Sequence, residues 1–215
     1  MTPRFRSVVL DVDSTVCAIE GIDWLARRRG PAVAAQVAAL TDRAMDGAIA
    51  LDQVYGERLA LIRPGRDDIA AVAAEYVRTV LPDAATAVAG LRAAGVTLVL
   101  VSGGLRQGIL PMARELGFRD ADVHAVDVRL ATDGAYAGFD TASPLATQAG
   151  KPVVVGALAL PRPALAVGDG STDLALAGTV DVFAAFTGVV RREAVAHGAA
   201  CELTSFAQLL SFVLS

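Results

Sequence analysis

Lysine is all but missing from this chain: of its 19 basic residues, 18 are arginine and one is Lys151. Cysteine and histidine are nearly as scarce, at two each. Cys17 and Cys201 stand at opposite ends of the chain without metal-ligand spacing, so free thiols in a reducing compartment are expected rather than a disulfide framework. With His124 and His197 the only histidines, a zinc site built on His and Cys is not expected. No basic run exceeds Arg27-Arg28-Arg29, and the net charge is −4, which argues against nucleic acid as a partner. That triplet reads as solvent-facing residues late in a helix, where the dipole favours positive charge. Pro161, Pro163 and several glycines break the apolar runs before they reach membrane-spanning length. Met1 to Arg6 lead into the first apolar run with no signal region. A cytoplasmic protein follows as the expectation, off the membrane, monomeric or homodimeric.

What is present is a 54% hydrophobic composition in which Ala, Val and Leu dominate, with an aromatic share of only 5%. That balance suits helices packed on a sheet, and 215 residues suit one domain or one domain with a sizeable insertion. The chain is organised around Val8-Val9-Leu10-Asp11-Val12-Asp13-Ser14-Thr15. A short apolar run reads as a buried parallel strand, and it stops at two carboxylates one residue apart, followed by two hydroxyls. Open α/β sheets hold their ligands at such strand ends. The stretch reads equally as an Asp-rich turn capping the next helix, since Asp, Ser and Thr are good N-caps.

Beyond Thr15 the pattern turns helical. Ile22–Arg29, Ala32–Ala44, Leu51–Ile62 and Asp67–Val80 are amphipathic, separated by Gly30-Pro31, Asp46-Gly47 and Pro64-Gly65. Four helices with no strand between them predict an insertion over residues 16–80, returning to the sheet through a helix over Ala84–Ala94. From Val96 strand and helix alternate again. Strands are expected at Val96–Val101, Val123–Val126, Ala164–Val167 and Val182–Ala185, the last closing the series. Helices are expected at Gln107–Leu116, Pro152–Leu160 and Ser205–Leu214, with Pro152 in a first turn where its missing N–H is harmless. Asp133-Gly134 between Val128–Leu130 and Ala135–Ala137 is a hairpin signal. The fold class is α/β: a doubly wound, mostly parallel sheet with a helical cap and a small β-hairpin. The core covers residues 1–15 and 81–215 and the cap residues 16–80.

Three strands thus end in polar clusters. Besides the Asp11 stretch, Ser102-Gly103-Gly104 offers a hydroxyl and unobstructed backbone N–H groups at a helix start, a phosphate cradle, though by itself the triplet reads more readily as a plain turn. Gly168-Asp169-Gly170-Ser171-Thr172-Asp173 adds two acids. So many carboxylates repel one another unless a hard cation such as Mg²⁺ shares them. Lys151 is singled out by composition alone: a compact ammonium fits between a carboxylate and a phosphate oxygen where a planar guanidinium does not. The plainer reading is a leftover surface lysine before a helix. Gly150-Lys151 is followed by proline and lacks the upstream glycine of a P-loop. Gly168-x-Gly170 lacks the third glycine of a dinucleotide fingerprint. Neither cysteine nor histidine has the flanking arginine of a covalent phosphatase site. Aspartate remains as the nucleophile.

Taken in order, Asp11-x-Asp13-x-Thr15, Ser102-Gly103-Gly104, Lys151 and Gly168-Asp169-Gly170-x-x-Asp173 resemble the four motifs of the haloacid dehalogenase superfamily. Within the insertion, Glu20-Gly21-Ile22-Asp23, Arg43-Ala44-Met45 and Glu57-Arg58-Leu59-Ala60-Leu61-Ile62 resemble the cap segments of its phosphoserine phosphatases. Tyr136-Ala137-Gly138-Phe139 is similar to their hairpin.

The resemblance covers nearly the whole chain and implies an Mg²⁺-dependent phosphatase acting on O-phospho-L-serine at the last step of serine biosynthesis. It implies Asp11 as nucleophile, Asp13 as general acid and base, and Lys151 as the third catalytic residue. Ser102, Gly103, Gly104, Lys151 and Thr172 would bind phosphate. Asp11, the Asp13 carbonyl and Asp169 would hold the metal, with Asp173 nearby or on Lys151. In the cap, Arg58 would clamp the substrate carboxylate and Glu20 its ammonium, with Met45 and Leu51 lining the pocket. On their own, Arg58 and Glu20 read as solvated helix charges. The chain departs from the family pattern at Leu51, where an aromatic residue is frequent, and at Pro152 directly after the lysine. Alternatives are a phosphatase or phosphotransferase of the same superfamily for another small phosphate, and a non-catalytic phosphometabolite-binding module.

Overall fold

Strand β1 (Ser7–Leu10) is buried at every position, so both faces of the sheet beside it are covered. That is why Val8-Val9-Leu10 reads as an unbroken apolar run rather than an alternation. In the computed structural model of the chain, residues 3–45 and 51–215 are described, without the side chains of 41–45 and 51–53. β1 pairs in parallel with β2 (Thr97–Leu105) on one side and β6 (Ala164–Gly168) on the other, Leu10 lying against Leu100 and Val167. The six-stranded parallel sheet has the order β3-β2-β1-β6-β7-β8, with β3 at Val123–Val126, β7 at Val182–Phe186 and β8 at Cys201–Leu203. From β1 the chain first winds outward through β2 and β3, then returns to β1's other side and winds outward through β6, β7 and β8. β1 is therefore the switch point, where diverging connections open a crevice at the strands' carboxyl ends.

Helices α1 (Gly21–Arg29), α2 (Pro31–Met45), α3 (Leu51–Ile62) and α4 (Arg66–Arg78) follow β1, as the periodicity predicts. The start of α4 is set by Asp68, whose Oδ2 accepts the Gly65 N–H at 3.0 Å. The chain leaves and re-enters the core side by side: Ala18 N–H bonds the Thr79 carbonyl at 2.9 Å and Leu81 N–H the Val16 carbonyl at 3.0 Å. The exposed arginines late in α1 include Arg29, which also ties α1 to the end of α3 through the Ile62 carbonyl at 2.7 Å. α5 (Ala84–Ala93) packs with α10 (Phe206–Leu214), and α4 packs on α6 (Arg106–Glu115). The hairpin pairs β4 (Val128–Leu130) with β5 (Tyr136–Phe139) and reaches the insertion, where Arg66 N–H bonds the Gly134 carbonyl at 2.9 Å. The turn spans Ala131 to Gly134, with Gly134 at φ 89°, a conformation natural to glycine. The remaining helices are α7 (Gly150–Ala157), α8 (Ser171–Leu174) and α9 (Glu193–Gly198). Full burial of side chains such as Leu10, Leu91, Leu100 and Ile109 contributes about 1.5–3 kcal/mol each.

Two expectations are corrected, and one alternative reading falls. β2 does not stop at Val101 but runs through Ser102-Gly103-Gly104 to Leu105, so that triplet lies on an extended segment with α6 beginning after it. The register shift against β3 between Val101 and Leu105 marks where the strand is displaced from its neighbour. The series does not close at β7, because α9 and β8 follow as a further parallel unit. Both are too short, at six and three residues, to give a periodicity of their own. The lone lysine is not a surface residue: Lys151 is 5% exposed. Cys17 and Cys201 are free thiols, and no helix among the described residues is long and apolar enough to cross a membrane.

The start of α7 depends on one backbone contact. A Cβ on Gly150 would lie 1.8 Å from the Pro144 carbonyl oxygen, so any side chain there forces two backbone segments apart. Gly150→Ala should lower stability by about 1–3 kcal/mol or more. The measurement is the urea midpoint at constant slope; an unchanged midpoint would mean that the turn yields freely.

Candidate active site

Four loops at the carboxyl edge of the sheet converge at the end of β1. Asp11 directly follows the strand, its N–H still paired to the Val167 carbonyl at 3.0 Å, so its side chain is placed by the sheet itself. Lys151, in the first turn of α7, brings Nζ to 2.6 Å from Asp11 Oδ1 and 2.5 Å from Asp173 Oδ1. All three residues are buried. Asp173 sits in α8 and its Oδ2 accepts the Gly170 N–H at 3.0 Å, which fixes the carboxylate at the helix start. Gly168 permits this approach, since a Cβ there would fall 2.2 Å from the Asp173 carboxyl carbon.

Asp169, after β6, is buried beside them, with Arg192 Nε at 3.0 Å from Oδ2 and Thr15 Oγ1 at 3.4 Å from Oδ1. Asp11, Asp169 and Asp173 each place a carboxylate oxygen within 4.8 Å of the others. Three hard oxygen donors at that separation fit a divalent metal of the Mg²⁺ or Ca²⁺ type rather than a soft one. The Asp13 carboxylate lies outside this cluster. Its Oδ1 instead accepts the Tyr76 hydroxyl at 2.7 Å and the Gly21 N–H at 3.1 Å.

Ser102 is buried at the end of β2's regular pairing, and its Oγ accepts the Gly104 N–H at 2.9 Å. With Oγ accepting there, the Ser102 hydroxyl keeps its own proton to donate. A Cβ on Gly103 would touch the Leu145 carbonyl at 3.5 Å, so the loop before α7 lies directly against this triplet. Thr172 lies partly exposed in α8. From the insertion come Glu20, whose Oε1 meets Ser14 Oγ at 2.8 Å and Arg192 Nη2 at 3.3 Å, and Arg58, paired through Nη2 with Asp23. Met45 and Leu51 were expected to line the pocket, but their side chains lie outside the described residues.

Residues 8–178 match the haloacid dehalogenase-like hydrolase family. The chain belongs to that family. It is 37% identical to the phosphoserine phosphatase of Rattus norvegicus over 207 residues, which covers 95% of this chain and 91% of the relative. The chloroplastic phosphoserine phosphatase of Arabidopsis thaliana is 34% identical over 96% of this chain and 71% of the relative. A solved phosphoserine phosphohydrolase-like protein from Francisella tularensis shares the fold with a TM-score of 0.81 at 23% identity, over 96% of this chain and 98% of that one.

Burial raises four acids around this hydrolase's site, while Lys151 is held charged against it. Burial alone would favour a neutral Lys151, but the charges of Asp11 and Asp173 and the hydrogen bonds to both outweigh it and hold the ammonium above its ordinary range. Burial and the Asp11 charge push Asp173 up to about 7, against the pull of Lys151 and Gly170. Burial, then Asp11, raise Asp169, while Arg192 opposes. Asp13 is raised well above the carboxylate range by burial and by the charges of Glu20 and Asp11, with the Tyr76 and Gly21 hydrogen bonds opposing. Burial likewise raises Glu20, which Ser14 counters and the charges of Asp169 and Asp11 reinforce.

Sequence reading missed two contributors. Tyr76 reads as one more core position of α4, and only packing shows that its hydroxyl reaches Asp13 from 63 residues away. Arg192 lies in the loop after β7 and carries no motif; its one signal is that the loop follows a strand at the same sheet edge.

Removing Lys151 leaves two buried carboxylates facing each other. Lys151→Met should cost about 3–5 kcal/mol, as for any buried ion pair that loses one partner. Adding Asp173→Asn should recover part of that loss by removing one of the stranded charges. Chemical denaturation with chelator present measures both, and a single variant as stable as the parent would show the triad to be energetically idle.

Proposed function

We propose that this chain is a phosphoserine phosphatase that hydrolyses O-phospho-L-serine to serine and phosphate through an aspartyl-phosphate on Asp11, with Mg²⁺ as cofactor, at the final step of serine biosynthesis. The observation that carries this reading is the contrast between two carboxylates one residue apart. Asp11 faces an ammonium, whereas Asp13 faces a hydroxyl and an amide and is pushed toward its protonated form. That difference in partners is the ground for assigning the nucleophile to one and the acid to the other. The similarity to phosphoserine phosphatases over 95% of the chain supports the substrate.

In the first step an Asp11 carboxylate oxygen attacks phosphorus and the bond to the serine oxygen breaks, while Asp13 delivers its proton to that oxygen. In the second, Asp13 takes a proton from water as the water oxygen attacks phosphorus, and Asp11 is released. Lys151, the Ser102 hydroxyl and the Gly103 N–H hold the phosphoryl oxygens as charge redistributes over them. Asp11, the Asp13 carbonyl and Asp169 would bind Mg²⁺, which when present neutralises phosphoryl charge. Asp173 keeps Lys151 in place. We assign residues 16–80 to a cap over this core; the paired crossing at 16–18 and 79–81 supports that division, since it concentrates the connection in one place. Arg58 would hold the substrate carboxylate and Glu20 its ammonium.

A phosphate-release screen over phosphorylated metabolites, with and without Mg²⁺, should rank phosphoserine first and require the metal. Rapid quenching of the wild type followed by mass spectrometry should place one phosphoryl group on the Asp11 peptide, and Asp11→Asn should carry none and turn over nothing. A label on a serine or histidine would falsify the mechanism, and phosphate binding without release would favour a binding module.

Tyr76→Phe removes one of the two donors that fix Asp13 without changing the ring. Turnover of phosphoserine should fall about tenfold, equivalent to about 1.4 kcal/mol of barrier. Hydrolysis of p-nitrophenyl phosphate, whose leaving group needs little proton donation, should keep a near-normal phosphorylation burst. Equal losses on both would mean that Tyr76 supports the fold rather than the acid.

A further inference from the structure

Among the described residues, two buried side-chain polar atoms have no hydrogen-bond partner, Tyr55 Oη and Arg58 Nε. They belong to the same helix, α3, three residues apart and so on one face of it. Both carry a proton to donate. We propose that the Tyr55 hydroxyl binds the substrate carboxylate alongside Arg58, making Tyr55 a specificity residue for amino-acid phosphoesters. This rests on the phosphoserine reading of the site and extends it to a residue that no motif contains.

The geometry favours a ligand role over a packing accident. Tyr55 is 9% exposed and its ring lies against Phe139 of β5, with centroids 5.2 Å apart and planes at 60°. The insertion and the hairpin thus clamp the ring and leave the hydroxyl at the end of a fixed lever. A phenylalanine would make the same ring contact without burying an unpaired hydroxyl, which is costly when nothing accepts from it. Around the hydroxyl act the charges of Arg58 and Asp13, one on the cap and one beside the nucleophile. Burial holds the phenol above its ordinary range despite Arg58, so it stays a neutral donor.

The ligand chemistry follows from the pair of donors. A hydroxyl and a guanidinium N–H with no acceptor call for an anion with two oxygens, and Arg58 already uses Nη2 on Asp23. In the proposed reaction the phosphoryl group is held elsewhere, by Lys151 and Ser102, which are buried beside Asp11 and at the end of β2's regular pairing. What remains of phosphoserine with two acceptor oxygens is its carboxylate.

The test compares O-phospho-L-serine with O-phosphoethanolamine, which keeps the phosphate and the ammonium and lacks only the carboxylate. For Tyr55→Phe the KM for phosphoserine should rise about tenfold with kcat nearly unchanged, and the constants for phosphoethanolamine should not move. Calorimetric titration of phosphoserine into Asp11→Asn, with and without Tyr55→Phe, should show the same loss of affinity independently of turnover. The thermal midpoint of the free enzyme should be unchanged or raised, because the ring contact with Phe139 is kept and an unpaired buried hydroxyl is removed. A wild type that prefers phosphoserine while Tyr55→Phe binds it equally well, or loses equally on both substrates, overturns the role of Tyr55 alone. A wild type without preference for phosphoserine overturns the substrate reading, and this proposal with it.

Discussion

The site depends on one buried ammonium. Lys151 lies between Asp11 and Asp173, with each side chain less than a tenth exposed, and no solvent is at hand to screen the two carboxylates from each other. Burying charge is tolerated only where it is paired and hydrogen-bonded, so the three side chains form a unit that is stable together and costly in pieces. The arrangement demands close backbone approach. Gly150 lies against Pro144 where no Cβ fits, and Gly168 leaves the space that the Asp173 carboxyl occupies. These glycines serve proximity rather than unusual torsion, since neither has a positive φ. A chain that uses arginine at 18 of its 19 basic positions keeps a lysine here because a guanidinium cannot be enclosed between two carboxylates at 2.5–2.6 Å from one nitrogen.

The second constraint is the divergence of Asp11 from Asp13. Asp11 is still held by the sheet, while the loop beyond it turns sharply, with Thr15, Val16 and Cys17 N–H groups all directed at the Val12 carbonyl. Ser14 takes the left-handed conformation at φ 52°, uncommon for a residue with a side chain, and is held there by the Ile19 carbonyl and Glu20. This turn aims the Asp13 carboxylate at the start of α1 and at Tyr76 of α4. Gly21 is a consequence of the same packing: a Cβ there would fall 2.0 Å from the Tyr76 oxygen. The helices after β1 therefore take part in the site directly, since Gly21 and Tyr76 hold the carboxylate two positions beyond Asp11.

The hairpin has a related part. Its turn meets the start of α4 through Gly134, and its second strand supports the α3 ring of Tyr55 through Phe139, with Arg63 over the Tyr136 ring. A short two-stranded ribbon is marginal alone. Here it is stabilised by the helices it touches, and in return it fixes the face of α3 that carries Arg58.

The sequence by itself determined the α/β class, the run of helices after the first strand, the hairpin, three polar clusters that follow apolar runs, and Lys151 as the one exceptional cation. These are local or compositional signals: an unbroken apolar run reports a strand buried on both faces, a 3.6-residue period reports a helix, and a single lysine among arginines reports selection for one shape of cation. Tertiary structure alone decided that Ser102-Gly103-Gly104 remains on the strand, that a three-residue edge strand extends the sheet, that Tyr76 and not the metal cluster receives the Asp13 carboxylate, and that Arg192 joins Glu20 to Asp169. None of these has a periodic or spacing signature, because each arises where segments far apart in the chain meet, and the energy that chooses among partners there is desolvation and hydrogen bonding rather than local propensity.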